Sequence, residues 1–188
     1  MRVIAGTYRS RALKAPEGLA TRPTSDRLRE TLFNVLAPRI EGAAFLDLYA
    51  GSGAVGIEAL SRGAGRVAFV ERSEAALAVL RENLEKLGLR GTARVHAVSV
   101  SAFLNRAAAG PKPERHEVVF LDPPYDGAEE YARTLGLLGG AAQELLAEGA
   151  VVVAEHRRKA RLEDRYGALV RTRLLEQGDA ALSFYAAD

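Results

Sequence analysis

From residue 43 onward, short apolar runs alternate with segments of helical periodicity, and this alternation strongly limits the possible folds. The predicted strands are 44–48, 66–71, 93–97, 117–121 and 150–154. The predicted helices between them are 54–63, 73–87, 100–108 and 128–147. Strands that alternate with helices in this way indicate an α/β fold with a mostly parallel sheet. Two later stretches, 168–176 and 181–186, predict an antiparallel hairpin that closes it.

A glycine-rich run follows the first predicted strand. Gly51, Gly53 and Gly56 form a G-x-G-x-x-G pattern between this strand and a helix, where glycine lets the backbone approach a ligand closely. Glu71 lies 20 residues beyond Gly51, at the end of the next strand, where a carboxylate can accept hydrogen bonds from ribose hydroxyls. The run predicts a nucleoside cofactor site, against the alternative of a purely structural turn. Its predicted contacts are Asp47, Tyr49, Ala50, Gly51, Ser52, Gly53, Glu71 and Arg72.

The same pattern serves both NAD and S-adenosylmethionine, and Asp47 helps to separate them. An acid at the end of the first strand would repel a pyrophosphate, but it can bind the ammonium of a methionine moiety directly or through water. We therefore favour S-adenosylmethionine.

The tetrapeptide Asp122-Pro123-Pro124-Tyr125 directly follows the fourth apolar run. An exocyclic amine of a nucleobase is a poor nucleophile because its lone pair is delocalised into the ring. The Asp122 carboxylate and the Pro123 carbonyl can accept its two N–H groups, and the proline rings hold these acceptors in place. Tyr125 offers a face on which an unstacked base can lie. These four residues are the predicted catalytic set, and the alternative is a proline turn with a surface tyrosine.

Composition excludes several other classes of protein. The chain has 188 residues and 48% hydrophobic content, which suits one domain with a substantial core. It has no cysteine, and its three histidines are not spaced like a helical metal motif, so we expect no metal site. No apolar run approaches the length of a membrane span, and we expect a soluble, cytoplasmic protein without a membrane partner.

Residues 1–40 differ from the rest in pattern and charge. Val3 to Ala5 and Ala12 to Lys14 predict a small hairpin. An amphipathic helix follows, with Thr24 or Ser25 as its cap and an apolar face of Leu28, Leu32, Val35 and Leu36. This segment holds eight Lys/Arg against three Asp/Glu, a net +5, whereas the other 148 residues sum to −3. The pattern predicts a basic extension over 1–40 and a catalytic domain over 41–188.

Basic side chains in this extension are candidates for contact with RNA phosphates. The predicted RNA-binding residues are Arg9, Arg11, Arg22, Arg27 and Arg29. A second stretch, 157–173, carries seven Lys/Arg and is left open between RNA contact and a solvated surface.

The chain resembles the bacterial RsmD-type methyltransferases over nearly its whole length. The resemblance rests on the Arg2 to Gly6 start, Arg9-x-Arg11-x-Leu13, the Arg22 to Asn34 block, Asp47 to Arg62, Asp122 to Tyr125, and Leu182 to Tyr185. The glycine run and the Asp-Pro-Pro-Tyr box occur in many methyltransferases, whereas the Arg22 to Asn34 block is far more discriminating.

The resemblance implies a class I S-adenosylmethionine-dependent methyltransferase fold, Rossmann-like, with a seven-stranded sheet. It implies methylation of N2 of guanine 966 in 16S rRNA, presented by an assembled small subunit. Related enzymes often hold the adenine amine with Asp or Asn after the third strand; here Ser99 occupies the matching position. We expect a monomer.

Two other functions stay open at this point. An adenine N6 methyltransferase acting on DNA or RNA would use the same Asp-Pro-Pro-Tyr box, because the box handles either amine and does not identify the base. A nucleotide- or RNA-binding module without turnover would also keep the glycine run.

Overall fold

The computed structural model describes residues 1–15, 26–110, 113–124 and 128–188. Five α-helices lie within these ranges: α1 Asp26–Ile40, α2 Ala54–Ser61, α3 Glu74–Lys86, α4 Val100–Ala109 and α5 Ala128–Leu138. The strands there are β1 Ala44–Leu48, β2 Arg66–Glu71, β3 Ala93–Ala97, β4 His116–Leu121, β5 Leu146–Arg157, β6 Arg165–Tyr166, β7 Leu169–Gln177 and β8 Ala180–Ala187. The predicted alternation of strands and helices is confirmed.

All eight strands form one sheet in the order β3-β2-β1-β4-β5-β8-β7-β6. Strands β1 to β5 are parallel, and β8 pairs antiparallel with both β5 and β7, so the predicted closing hairpin is confirmed. Seven strands follow the expected arrangement, and the two-residue β6 extends the edge beyond β7. The parallel strands place the chain segments that follow β1, β2, β4 and β5 along one edge of the sheet.

Helices cover both faces of the sheet. On one face, α1, α2 and α3 pack with β-strand side chains in a cluster that includes Leu32, Ile57 and Leu80. On the other face, α4 and α5 contribute Leu104 and Leu135 to a second cluster. The central strands β1 and β4 between them are mostly apolar, as expected for a sheet buried on both sides.

One predicted helix has the wrong length. The segment 128–147 was expected to be helical throughout, but α5 ends at Leu138, a short 3-10 helix covers Gln143–Leu145, and β5 begins at Leu146. Gly139 and Gly140 directly follow α5 and disfavour its continuation. A Cβ at Gly139 would lie 1.8 Å from the carbonyl oxygen of Tyr166, so this turn packs against the β6 region too closely for any other residue.

The N-terminal segment shares the core of the protein. Arg2 and Ala12 form an antiparallel bridge, which confirms the predicted hairpin, and Val3 and Leu13 from its two sides are buried. In α1, Leu28, Leu32 and Leu36 are buried as predicted, and Val35 is half-buried. The predicted caps Thr24 and Ser25 lie outside the described residues. Residues 1–15 and α1 therefore pack as part of the same hydrophobic cluster as the sheet.

Candidate cofactor and substrate site

The glycine loop, residues 49–53, connects β1 to α2 and has a backbone that few side chains would permit. Gly51 and Gly53 have φ values of 56° and 81°, and Tyr49 also lies in the left-handed region with φ 62°. A Cβ at Gly53 would lie 2.3 Å from Leu80 Cδ1, so α3 packs directly against the loop. The loop leads into α2, whose first N–H groups are a suitable environment for a bound ligand's polar atoms.

Asp47 lies below this loop, near the end of β1, and is only 2% exposed. Its Oδ2 accepts a hydrogen bond from the Gly56 N–H at 2.9 Å. Burial, and to a smaller extent the charge of Glu71, raise the pKa of Asp47 to about 8, although the hydrogen bond from Gly56 opposes the shift. A cation bound nearby would favour the ionised form, so this carboxyl suits a positively charged ligand.

Glu71 fixes the loop to the end of β2. Its Oε2 accepts from the Gly51 N–H at 2.9 Å, and its Oε1 accepts from the Arg72 and Ser73 N–H groups at 2.8 Å each. A carboxylate oxygen has two lone pairs, so Oε2 can still accept from a ribose hydroxyl. The predicted ribose contact stays a prediction, but the structure adds a role that the sequence did not indicate, which is to hold the loop in shape.

Asp122 follows β4 and faces the same edge of the sheet. Burial, and then the charges of Glu155 and Asp47, raise the pKa of Asp122 well above its ordinary range. Pro123 is buried and Pro124 is exposed. Tyr125 lies outside the described residues, and its stacking role stays a prediction. Asp47 is thus close enough to interact electrostatically with both Glu71 and Asp122.

Tyr49 links the loop to the other side of the site. Its hydroxyl donates to Glu130 Oε2 at 2.9 Å and forms a second hydrogen bond with Thr134 Oγ1 at 2.7 Å. Both partners belong to α5, the helix that follows the Asp-Pro-Pro-Tyr box. Burial raises the pKa of Tyr49 above its ordinary value. The sequence places Tyr49 in the loop, but these partners lie more than 80 residues away along the chain and carry no local signal.

The remaining predicted cofactor residues lie around the same edge. Ala50 and Ser52 are half-buried members of the loop, and Arg72 is exposed directly after β2. Ser99 precedes α4 and caps it, because its Oγ accepts from the Ala102 N–H at 3.2 Å. A hydroxyl that accepts one hydrogen bond can still donate another, so its contact with adenine stays a prediction.

The predicted RNA-binding arginines have three different outcomes. Arg9, Arg11 and Arg27 are exposed, and Arg22 lies outside the described residues. The prediction for Arg29 is wrong, because its side chain is fully buried and no RNA phosphate can reach it. Its Nη2 donates to the Arg2 carbonyl at 2.6 Å and to Asp26 at 2.9 Å.

Arg29 has a structural partner in α2. Its Nε lies 3.9 Å from the fully buried carboxylate of Glu58, which also accepts a hydrogen bond from Arg62 Nε at 2.7 Å. Buried charges of opposite sign must be paired, since an isolated buried charge is very costly. The charge pattern of α1 alone could not reveal this, because the paired acid lies 29 residues away in another helix.

Two cavities are lined by described residues, and neither lining includes Asp47, Glu71 or Asp122. One of about 400 Å³ lies beside α4 and includes His96, Phe103 and His116; another of about 260 Å³ lies between α5 and residues 157–166. Within the described part of the chain, no helix is both long and apolar enough to cross a membrane. No group of three potential metal-ligating acids or histidines occurs there either.

Comparison with known proteins agrees with this architecture. The family model "Conserved hypothetical protein 95" matches residues 1–186. The "Putative rRNA methyltransferase YlbH" of Bacillus subtilis is 40% identical over 98% of this chain and 98% of its own length. "Ribosomal RNA small subunit methyltransferase D" of Escherichia coli K12 is 45% identical over 66% of this chain and 60% of its own length.

A solved structure extends the similarity to the fold. The "Putative methyltransferase yhhF from Escherichia coli" superposes with a TM-score of 0.83 at 38% identity, covering 100% of this chain and 98% of that one. The class I methyltransferase fold expected from the sequence is therefore confirmed. The chain belongs to the Conserved hypothetical protein 95 family, which is the RsmD family of methyltransferases.

Proposed function

We propose that the protein transfers a methyl group from S-adenosylmethionine to the exocyclic N2 of a guanine in 16S rRNA, guanine 966 by family resemblance. The names of the two relatives support an rRNA methyltransferase, and the E. coli name supports the small subunit. The alignment with the B. subtilis relative spans nearly the full length of both chains. The modified base, guanine, and its position, 966, are inferred from the family resemblance.

The observation that carries the proposal is the electrostatics of the site. Asp47 and Asp122 both have raised pKa values, because burial and neighbouring carboxylates disfavour their ionised forms. S-adenosylmethionine carries a sulfonium and an ammonium, and either cation would relieve this repulsion. NAD would bring a pyrophosphate to the same acidic edge. These two carboxyl groups therefore favour a cationic nucleoside cofactor over a dinucleotide.

The cofactor residues have separate roles in this proposal. Glu71 accepts hydrogen bonds from the ribose while it holds the Gly51 N–H, and Asp47 stabilises the cationic amino-acid end directly or through water. Ser99 and Arg72 border the adenine. When bound, S-adenosylmethionine supplies an electrophilic methyl group. The protein's own residues bring the amine into line with it.

Asp122 and the Pro123 carbonyl accept the two N–H groups of the guanine amine and direct its lone pair towards the methyl group. In the transfer, the nitrogen would bond to the methyl carbon as the carbon–sulfur bond breaks and S-adenosylhomocysteine leaves. The positively charged nitrogen would then lose one proton, for which Asp122 is the proposed acceptor. Positioning and electrostatic stabilisation account for most of the acceleration. Tyr125, by its place in the box, is proposed to stack on the extruded base.

Residues 1–40 are proposed as the RNA-contacting extension, and 41–188 as the catalytic domain. Arg9, Arg11 and Arg27 are exposed and available for phosphates, and Arg22 belongs to the same proposed set. We propose that the protein acts as a cytoplasmic monomer on an assembled small subunit. A role for 157–173 is left out of this proposal.

The deciding experiment uses labelled S-adenosylmethionine and small ribosomal subunits that lack the modification. After incubation, the RNA is digested to nucleosides and analysed by mass spectrometry. N2-methylguanosine is the expected product. N6-methyladenosine would replace the proposal by the adenine alternative, and binding without any methyl transfer would favour the non-enzymatic RNA-binding module.

Asp122→Ala tests the catalytic assignment in the same assay. We expect loss of turnover with little change in affinity for S-adenosylhomocysteine, because Asp122 acts on the amine. Glu148→Ala is a matched control, since it removes an exposed carboxylate elsewhere on the protein. Substantial turnover by Asp122→Ala would contradict the proposed role.

A further inference from the structure

Asn83 has no place in the mechanism above, yet it makes an unusual set of contacts. It lies in α3, is 1% exposed, and belongs to neither the glycine run nor the catalytic box. Its Oδ1 accepts from the Lys14 N–H at 2.9 Å, and its Nδ2 donates to the Lys14 carbonyl at 3.1 Å. The same Nδ2 donates to the Ser52 carbonyl at 3.0 Å. One buried amide therefore bridges the N-terminal segment and the glycine loop.

The contacts require an amide in one orientation. Oδ1 meets an N–H group, whereas Nδ2 meets two carbonyl oxygens, so a flipped amide would oppose donors to donors and acceptors to acceptors. Aspartate would keep the acceptor for Lys14 but lose both donated hydrogen bonds, and it would place an anion beside two carbonyl oxygens. Alanine would leave buried backbone groups unpaired.

The segment that Asn83 holds is the basic hairpin, defined here as residues 2–14. Ile4 and Ala5 donate their N–H groups to Glu58 at 2.8 and 3.0 Å, and Thr7 donates to the Ser61 carbonyl at 2.8 Å. Glu58 and Ser61 belong to α2, the helix that begins at the glycine loop. The hairpin is therefore bound to both helices that flank the loop, one after it in the chain and one packed against it.

Exposed charge lies on this same hairpin. Arg9 and Arg11 are exposed near its turn, where the proposed function places RNA phosphates. Ser52, at the other end of the Asn83 bridge, belongs to the loop proposed to hold the cofactor. The proposed cofactor and the proposed RNA thus bind to the glycine loop and the basic hairpin, and Asn83 forms hydrogen bonds with both of these elements.

We propose that Asn83 is a positioning residue that couples cofactor binding to RNA binding. A cofactor bound on the glycine loop stabilises the position of Ser52 in which its carbonyl accepts from Asn83. RNA bound on the basic hairpin stabilises the position of Lys14 in which its backbone pairs with Asn83. Each ligand then raises the affinity for the other by the same factor, as linkage requires. This inference rests on the proposed function.

The test measures the dissociation constant of labelled S-adenosylhomocysteine with and without unmodified small subunits. In the native protein we expect the subunits to tighten binding by about fivefold or more, within the usual range of such couplings. In Asn83→Asp and Asn83→Ala, we expect the subunits to tighten S-adenosylhomocysteine binding by less than about twofold, even where each variant still binds both ligands.

Glu82→Gln is the matched control. Glu82 is the preceding residue of α3 and forms a salt bridge with Lys14 Nζ at 2.6 Å, but no hydrogen bond joins it to Ser52. It should keep the native coupling. Thermal unfolding identifies variants that do not fold; should Asn83→Ala be one, Asn83→Asp and Asn83→Gln at the same position carry the test.

The outcomes separate this inference from the proposed function. Native-like coupling in folded Asn83→Asp, or no coupling in a native protein that methylates its substrate, would overturn the role of Asn83 and leave the proposed function intact. A native protein that transfers no methyl group would instead contradict the proposed function. Loss of coupling in Glu82→Gln as well would show that the α3 contact as a whole, and not the Asn83 amide, carries the effect.

Discussion

Replacing Asp47 by Asn should stabilise the cofactor-free protein, most strongly above neutral pH. Asp47 is buried, and its pKa rises from an ordinary 3.8 to about 8 on folding. A difference of about 4 pK units corresponds to about 6 kcal/mol at full ionisation, as an upper limit. Asparagine removes this term while its amide oxygen can still accept from the Gly56 N–H. The same change should weaken cofactor binding, because it removes a charge that faces the cation.

The sign follows from the two protonation states. Below pH 3.8 Asp47 is protonated in both the folded and the unfolded chain, and it has no effect on the pH dependence. Between pH 3.8 and about 8 the unfolded chain releases the proton and the folded chain retains it, so folding stability falls as pH rises. The slope in this window is about 1.4 kcal/mol per pH unit, or about 3 kcal/mol between pH 5 and pH 7. Above about pH 8 the loss levels off.

Urea unfolding of the cofactor-free protein, followed by circular dichroism at pH 5, 6, 7 and 8, measures this difference. The free energy of Asp47→Asn minus that of the native protein should rise by about 3 kcal/mol from pH 5 to pH 7. Asp122 contributes a slope of the same sign to both proteins, but it cancels only in part, because the Asp47 charge is one of the causes that raise the pKa of Asp122. Glu148→Gln controls for loss of a carboxylate in an exposed position. A pH-independent difference for Asp47→Asn would refute the reasoning.

Three further changes test other parts of the site. Glu71→Gln should weaken binding of S-adenosylhomocysteine by about tenfold or more, since it weakens charge-assisted hydrogen bonds; unchanged affinity by calorimetry would contradict the ribose role. Arg9→Ala with Arg11→Ala should lower affinity for small subunits and reduce the salt dependence of binding by about two phosphate contacts; an unchanged slope would place the RNA elsewhere. Gly56→Ala would put a Cβ 2.3 Å from Phe69 Cε1 and should cost about 1–3 kcal/mol in urea unfolding, whereas a native midpoint would show that the ring moves freely.

The buried central strands were predictable because each is a short apolar run. Strand β4, predicted from 117 and observed from His116, shows how little the boundary moves when four consecutive residues are buried. Prediction failed at α5, where helical periodicity continued past Gly139 and Gly140. The close contact between Gly139 and Tyr166 that fixes this turn joins distant segments, and no local pattern contains it.

In the candidate site, too, residues with a local sequence signal were predicted, whereas a residue whose role depends on distant contacts was not. The glycine loop and Glu71 were found because a fixed spacing along the chain accompanies their geometry, and Gly51 does receive the Glu71 carboxylate. Arg29 was misassigned because a basic residue in an amphipathic helix is usually solvated. Its burial depends on Glu58, which lies in a different helix and is itself an unremarkable acid in the sequence.

Buried and half-buried polar residues in this protein connect elements that carry separate proposed functions. Glu58 receives Ile4 and Ala5 of the basic hairpin, Asn83 joins that hairpin to Ser52, and Tyr49 joins the glycine loop to α5. Removing one partner of such a contact leaves a buried group unsatisfied, so each connection holds its two elements in one arrangement. Apolar contacts could pack the same elements with less directional preference. The buried hydrogen bonds therefore specify how the basic hairpin, the glycine loop and the helix after the catalytic box are placed relative to one another, which is the requirement for aligning a base with a methyl donor.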